Sequence, residues 1–241
     1  MNPVVTQQFR IESYETDVKR RLKPLFIQNH LQEMAYQGSE YCGASYEVLR
    51  EQGLFWALNR IHFRVYDIPH WGDIVKIETW SRGQMGPLWH RNMRIWRGEM
   101  LCIEATSAWT MLSLEGRGIY RGDCGFDPSL HFSEDTLPFC TKILVPAGLE
   151  MAPAGSHTVV YSDLDSNSHA NNCMYTQWAV DALPYEYVRD HDLEDFQVCY
   201  LHEIHVGETV EFKLGSGEDG VWYLQGYVAD TQCFTVKMSF K

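Results

Sequence analysis

The 241 residues are 45% hydrophobic and 22% charged, with a formal net charge of −12, the profile of a globular chain rather than a disordered or fibrous one. The net negative charge argues against a nucleic-acid partner. No apolar run approaches the ~20 residues of a membrane span, and no basic-then-apolar leader opens the chain. Seven cysteines at 42, 102, 124, 140, 173, 199 and 233 are scattered without a C-x-x-C pair, so they are expected as reduced thiols in a cytoplasmic protein. Charge is uneven: residues 1–121 hold 15 Lys+Arg against 13 Asp+Glu, and residues 122–241 hold 5 against 19. The basic clusters Lys19, Arg20, Arg21, Lys23 and Arg91, Arg94, Arg97 are candidates for meeting a small acidic protein.

In chain order, Gln7 to Ile11 reads as a strand. Pro24 suits the first turn of a helix, whose apolar side is Leu25, Ile27, Leu31, Met34 and Ala35. Gly38 and Gly43 are expected to weaken it, with a second short helix over Ala44 to Gln52, stopped by Gly53. From Leu54 to Val65, Phe55, Ala57, Ile61, Phe63 and Val65 alternate with polar residues, the period of a half-buried strand. Further strands are predicted near Ile74–Trp80, Leu88–Trp96 and Leu101–Leu112. Ser113 to Ser156 is rich in Gly and Pro and reads as a crossing segment. Then the order repeats: a strand at Val159–Tyr161, a helix over Asn172–Val188, and strands near Phe196–Leu201, Thr209–Leu214, Val221–Ala229 and Cys233–Phe240.

The repeat is visible in the letters as well. Pro69-His70-Trp71-Gly72-Asp73-Ile74-Val75-Lys76-Ile77 lines up with Ile204-His205-Val206-Gly207-Glu208-Thr209-Val210-Glu211-Phe212, an offset of 135. Two copies of one α+β unit are expected, each an antiparallel sheet with a helix packed on it. Joining edge to edge would hide sheet edges that are otherwise prone to pair with other chains.

The most polar stretch, Ser162 to Asn172, lies between the strand and helix of the second copy. Read as extended chain, Asp165, Asn167 and His169 project to one side, just ahead of a helix N-terminus that favours negative charge. Helix capping accounts for one or two such residues, whereas here all but Leu164 and Ala170 are polar. A calcium loop needs Gly at its sixth place and Glu at its twelfth; Ser168 and Met174 stand there instead.

These residues resemble the acyl-acyl-carrier-protein (acyl-ACP) thioesterases, in which two hotdog domains share one chain. The resemblance rests on Leu54 to Trp80 with Trp71-Gly72-Asp73, on Ala105-Thr106-Ser107-Ala108-Trp109, and on Leu164-Asp165-x-Asn167-x-His169-x-Asn171-Asn172-x-x-Tyr175-x-x-Trp178. It implies tandem hotdog domains, with residues 1–125 carrying the acyl-chain pocket, 126–150 a linker and 151–241 the chemistry. It further implies hydrolysis of fatty acyl-ACP to free fatty acid and ACP, ending chain elongation in fatty acid synthesis. The family's later Glu maps to Glu203, and where plant members carry a Cys once proposed as nucleophile this chain has Ile204.

The catalytic set is therefore Asp165, Asn167, His169 and Glu203. Asp165 is the first candidate for base or nucleophile and Glu203 activates or positions water. Asn167 donates to the developing oxyanion, and His169 donates or orients. The partner implied is the acyl carrier protein, with a homodimer left open; no cofactor and no metal are expected. The alternatives are a hotdog acyl-CoA thioesterase and a catalytically silent acyl-binding module, the latter needing no acid/base set. Cys173 and Cys199 lie close in sequence to this set and are read as packing residues.

Overall fold

A computed structural model describes residues 3–122, 126–134, 136–217 and 220–241; Cys124 and Gly125 of the expectations above lie outside the described residues. The chain divides into a first unit of Met1–Leu22 and Asn29–Cys140 and a second of Lys23–Gln28 and Thr141–Lys241. Described residues contain no helix long and apolar enough to cross a membrane.

In the first unit β1 is Val5–Arg10, α1 Pro24–Tyr41 (its first turn counted with the second unit), α2 Tyr46–Glu51, β2 Leu54–Val65, β3 Ile74–Met85, β4 Leu88–Arg97 and β5 Met100–Ser113. The strands lie in the order β1-β3-β4-β5-β2, every neighbour antiparallel. The predicted alternation holds from Ile61 on, with Ile61, Phe63 and Val65 of β2 buried, as are Val75 and Ile77 of β3 and Met93 and Ile95 of β4. Ahead of a register shift between Leu58 and Arg60, Leu54 and Leu58 are buried in place of the expected Phe55 and Ala57. Leu31, Met34 and Ala35 form the buried side of α1, the i, i+3, i+4 spacing of an amphipathic helix.

Gly38 does not interrupt α1. A Cβ there would overlap the guanidinium of Arg91, a buried side chain that donates to Thr79 Oγ1 at 3.1 Å. The glycine is the room through which an internal arginine passes, and burial holds the Arg91 pKa below its ordinary value. Arg91 is thereby removed from any docking surface. Arg94 is also spoken for, paired with Glu104 and Glu134.

The second unit repeats the plan. β6 is Ala152–Thr158, α3 Asn172–Asp181, α4 Tyr185–Asp190, β7 Leu193–Tyr200, β8 Thr209–Ser216, β9 Val221–Val228 and β10 Thr231–Phe240. Its order is β7-β10-β9-β8-β6, again antiparallel throughout. Read from β6, the path β6-β8-β9-β10-β7 is the path β1-β3-β4-β5-β2 of the first unit, so the offset seen in the letters is a duplicated fold. Tyr175 and Trp178 of α3 face the sheet, their rings 4.8 and 6.4 Å from that of the fully buried Phe234.

Two expectations about this unit are corrected. The strand predicted at Val159–Tyr161 lies earlier, at Ala152–Thr158, beginning inside the Gly/Pro-rich crossing segment. It is an edge strand pairing β8, with a register shift between Pro153 and Ser156, and edges and bulges are where Pro and Gly are tolerated in sheets. The helix predicted over Asn172–Val188 is two helices, because Pro184 forces the residue before it out of the helical region and opens α4.

Candidate active site

From β6 the chain passes through a 3₁₀ turn, Tyr161–Asp163, and a tight reversal before α3. Asp163 is buried and holds this entry: its Oδ2 accepts the Val160 N–H at 2.8 Å and lies 2.8 Å from His157 Nε2. The reversal differs from the extended segment expected. Asp165 N–H donates to the His169 carbonyl at 2.8 Å and Ser168 N–H to the Asp165 carbonyl at 3.0 Å. Ser168 takes φ +64°, and Leu164 bridges Ala170. Side chains two apart do not share a face in such a turn; Asp165 and His169 stand opposite each other, with the exposed Asn167 at the tip.

Asp165 builds the reversal as well as occupying it. Its Oδ1 accepts the N–H of Asn167 at 2.8 Å and of His169 at 3.3 Å, while no hydrogen bond to its Oδ2 is found among the described residues. The far limb of the turn is clamped to the segment after β7: Ala170 N–H donates to the Ile204 carbonyl at 2.8 Å, and His169 bridges His205. This pairing brings His169 Nδ1 to 3.5 Å from Glu203 Oε1. Three of the four predicted site residues are therefore gathered by the backbone, and the fourth, Asn167, stands exposed at the tip of the turn. Asn171 is the helix cap, its Oδ1 accepting the Cys173 N–H at 2.9 Å.

Beneath the turn the start of α3 is anchored by residues whose role the sequence did not signal. Tyr200 O–H donates to the Asn172 carbonyl at 3.0 Å. The fully buried Gln28 donates to that carbonyl and to Tyr200 Oη, at 3.2 and 2.6 Å, and its Oε1 accepts from Thr176 Oγ1. Burial drives the Cys173 thiol far above its ordinary value, so the helix N-terminus does not make it a thiolate. Burial and then the nearby Cys233, Glu203 and Asp165 push the Tyr175 hydroxyl up as well. Cys199 is buried and accepts the Ile143 N–H at 3.4 Å. The strand ends at Tyr200, so Cys199 and Glu203 do not share an unbroken strand face. Six cysteines among the described residues are free thiols, all buried.

The first unit contains the same turn with different side chains, at an offset of 148. Asp17 N–H donates to the Arg21 carbonyl at 2.9 Å, and Asp17 Oδ1 accepts from Lys19 and Arg21 N–H at 2.8 and 2.9 Å. Arg20 takes φ +65°, Thr16 bridges Leu22, and Arg21 bridges His70. The clamp recurs as Leu22 N–H to the Pro69 carbonyl at 2.8 Å. Even the following turn matches, with Gly72 and Gly207 at φ +92° and +84° and His70 and His205 N–H held by Asp73 and Glu208 at 2.9 and 2.7 Å. The chemistry does not match: Lys19 stands for Asn167, Arg21 for His169 and Ile68 for Glu203. Arg21 binds Asp17 Oδ2 at 2.7 Å, closing off the oxygen whose counterpart on Asp165 is open.

Comparison with known proteins matches the chain in two parts. The family model described as the acyl-ACP thioesterase N-terminal domain matches residues 2–121, and that of the acyl-ACP thioesterase C-terminal domain matches residues 150–229. Oleoyl-acyl carrier protein thioesterase 1 of Arabidopsis thaliana is 29% identical over 232 residues, covering 85% of this chain and 62% of the relative. The Coriandrum sativum oleoyl-acyl carrier protein thioesterase is 27% identical, covering 85% and 60%. The chain thus spans about three fifths of the length of these curated relatives. A crystal structure of an acyl-ACP thioesterase from Bacteroides thetaiotaomicron superposes with a TM-score of 0.88 at 21% identity, covering 99% of this chain and 98% of that one. The 12:0-ACP thioesterase of Umbellularia californica superposes at 0.86 and 18%, covering 100% and 98%. The fold is therefore that of these tandem-domain enzymes, and with both halves matched by the family's own two domain models, the chain belongs to the acyl-ACP thioesterase family.

Proposed function

We propose that this chain hydrolyses fatty acyl-ACP thioesters to free fatty acid and carrier protein, ending chain elongation, at the Asp165–Asn167–His169–Glu203 site. One observation carries the reading: the turn that sets His169 beside Glu203 leaves Asp165 Oδ2 without a hydrogen bond among the described residues, and both features are missing from the matching turn of the first unit. Asp165 Oδ2 takes a proton from water as the water oxygen bonds to the thioester carbonyl carbon. The Asn167 amide donates to the resulting oxyanion. As the intermediate collapses the C–S bond breaks, and the proton taken up by Asp165 passes to the departing thiolate by way of the His169 ring. The ring accepts it and releases it to sulfur with Nδ1 turned to Glu203, so that Asp165 and His169 end as they began. Glu203 orients the imidazole, as the carboxylate of a catalytic triad does, and positions the water.

Family membership supports the substrate class, and the buried thiols support a carboxylate mechanism over a cysteine one. The test is steady-state hydrolysis of acyl-ACP and acyl-CoA of equal chain length. Higher kcat/KM for acyl-ACP is the expected result; equal or higher kcat/KM for acyl-CoA would reassign the substrate, and no turnover of either would leave only acyl binding.

A further inference from the structure

Glu203, His205 and His169 present more than an acid/base pair. One ligand-type atom from each of the three lies within 4.8 Å of the others, and His169 Nδ1 is 3.5 Å from Glu203 Oε1. Zinc bonds imidazole nitrogen and carboxylate oxygen at about 2.0–2.2 Å, which sets neighbouring ligand atoms of a tetrahedral site roughly 3.4 Å apart. The His169–Glu203 separation already has that value. The imidazole of His205 has its ring centre 4.9 Å from that of His169 at 75°, and its ligand atom lies within 4.8 Å of the other two.

The backbone holds this set together. His169 and His205 face each other across a β-bridge, and the Ala170 N–H bond to the Ile204 carbonyl fixes the two segments at 2.8 Å. Glu203 and His205 are exposed and His169 partly so, leaving an approach from solvent and a fourth position for water. Two imidazoles and a carboxylate suit zinc and its neighbours better than the hard, all-oxygen cations. The acidic balance of residues 122–241 draws cations to this half of the chain. The duplicate turn is a built-in contrast: its corresponding residues are Arg21, Ile68 and His70, a set with only one ligand.

We propose that His169, Glu203 and His205 bind one divalent transition-metal ion, zinc being the best fit, and that this ion reversibly shuts the hydrolase off. The binding stands on geometry alone, and the inhibition rests on the function proposed above. An ion held there ties up the His169 nitrogen and the Glu203 oxygen that the reaction uses. His205 has no part in that reaction, so it is the residue by which metal binding is separated from catalysis.

The experiment uses the full chain, stripped of metal by chelator and dialysed. Zn2+ is titrated against a chromophoric competitor, and Co2+ is titrated with its visible absorption as readout. Wild type is expected to take up one ion of each, with Co2+ showing the intense bands of a four-coordinate site. His205→Ala and His205→Gln, exposed positions checked for an unchanged melting temperature, should each weaken binding by at least about tenfold, since even outer-shell losses cost 10–100-fold. In acyl-ACP hydrolysis zinc inhibition is read for each protein against its own metal-free rate. Zn2+ should inhibit wild type, chelator should restore it, and the variants should need at least about tenfold more zinc. Equal zinc affinity in wild type and His205→Ala, or wild-type binding only in the millimolar range, would overturn the site. Stimulation by zinc, or inhibition unchanged in the variants, would overturn its inhibitory role. A protein inactive on every thioester would still be decided by the binding titration.

Discussion

Asp165→Asn separates the two tasks assigned to one carboxylate. The amide keeps an oxygen where Oδ1 accepts the Asn167 and His169 N–H groups at 2.8 and 3.3 Å, so the turn should persist. A charged acceptor contributes roughly 1.5–3 kcal/mol per bond and a neutral one about 0.5–1.5; the long second bond and the exposed position of Asn167 put the loss near the low end, about 1 kcal/mol. For a chain of this size that is a fall in melting temperature of about 2–4 °C. Removing the base from Oδ2 should cost on the order of 10²-fold or more in kcat, about 2.7 kcal/mol of transition-state stabilisation. Asp17→Asn is the matched control, altering the duplicate turn, where Oδ2 is already bound by Arg21; it should lower the melting temperature and leave kcat unchanged. Single-turnover hydrolysis of acyl-ACP beside thermal unfolding of the same preparations makes the comparison. A folded Asp165→Asn enzyme with half or more of the wild-type rate would refute the assignment.

Glu203→Gln should also lose on the order of 10²-fold in kcat, whereas Cys173→Ala and Cys199→Ala, alone and together, should keep most activity; loss of turnover in a folded Cys173→Ala protein would revive a thiol mechanism. Gly38→Ala should destabilise by about 1–3 kcal/mol through overpacking against Arg91, read from denaturant midpoints, and no change would mean that the arginine can move aside. Burial holds His30, His90 and His131 below their ordinary values. The unfolded chain therefore binds more protons than the folded one around and below pH ~6.5, and stability should fall as pH is lowered through that value; a melting temperature that is flat or rises from pH ~7.5 down to ~5.5 would contradict this. Charge reversal at the exposed Lys19 and Arg20 together should raise KM for acyl-ACP at low salt and flatten its salt dependence, with an unchanged KM placing carrier-protein docking elsewhere.

Element type and order were legible because periodicity reports them directly: β2 alternates Ile61, Phe63 and Val65 inward, and the hydrophobic-x-Gly-acidic turn recurs at an offset of 135. What escaped was set by pairing. β6 contains Pro153 and Gly155, which read as linker until an edge position and a bulge give them a place. The identities Asp165, Asn167 and His169 pointed to a site, but their spacing did not reveal a reversal, since the one clue to positive φ, Ser168, is an ordinary serine. The duplicate turn was invisible in letters because of the matched triplet only the aspartate survives, Asp17-x-Lys19-x-Arg21 against Asp165-x-Asn167-x-His169. Gln28, lying 144 residues before the carbonyl it serves, left no local trace.

That the two turns keep one backbone with different side chains separates scaffold from reagent. The aspartate and main-chain hydrogen bonds make the shape, so residues at the Lys19 and Arg21 positions, and at Ile68 opposite, are interchangeable cargo on a standard mount. The first unit is in that sense a vacant socket already cut to size. Transplanting Lys19→Asn, Arg21→His and Ile68→Glu asks nothing new of the chain's φ and ψ angles, and Asp17 is freed from its arginine by the same exchange. Divergence after duplication needed to alter only what the mount carried, which is how two copies can differ in side chains while their architecture stays the same.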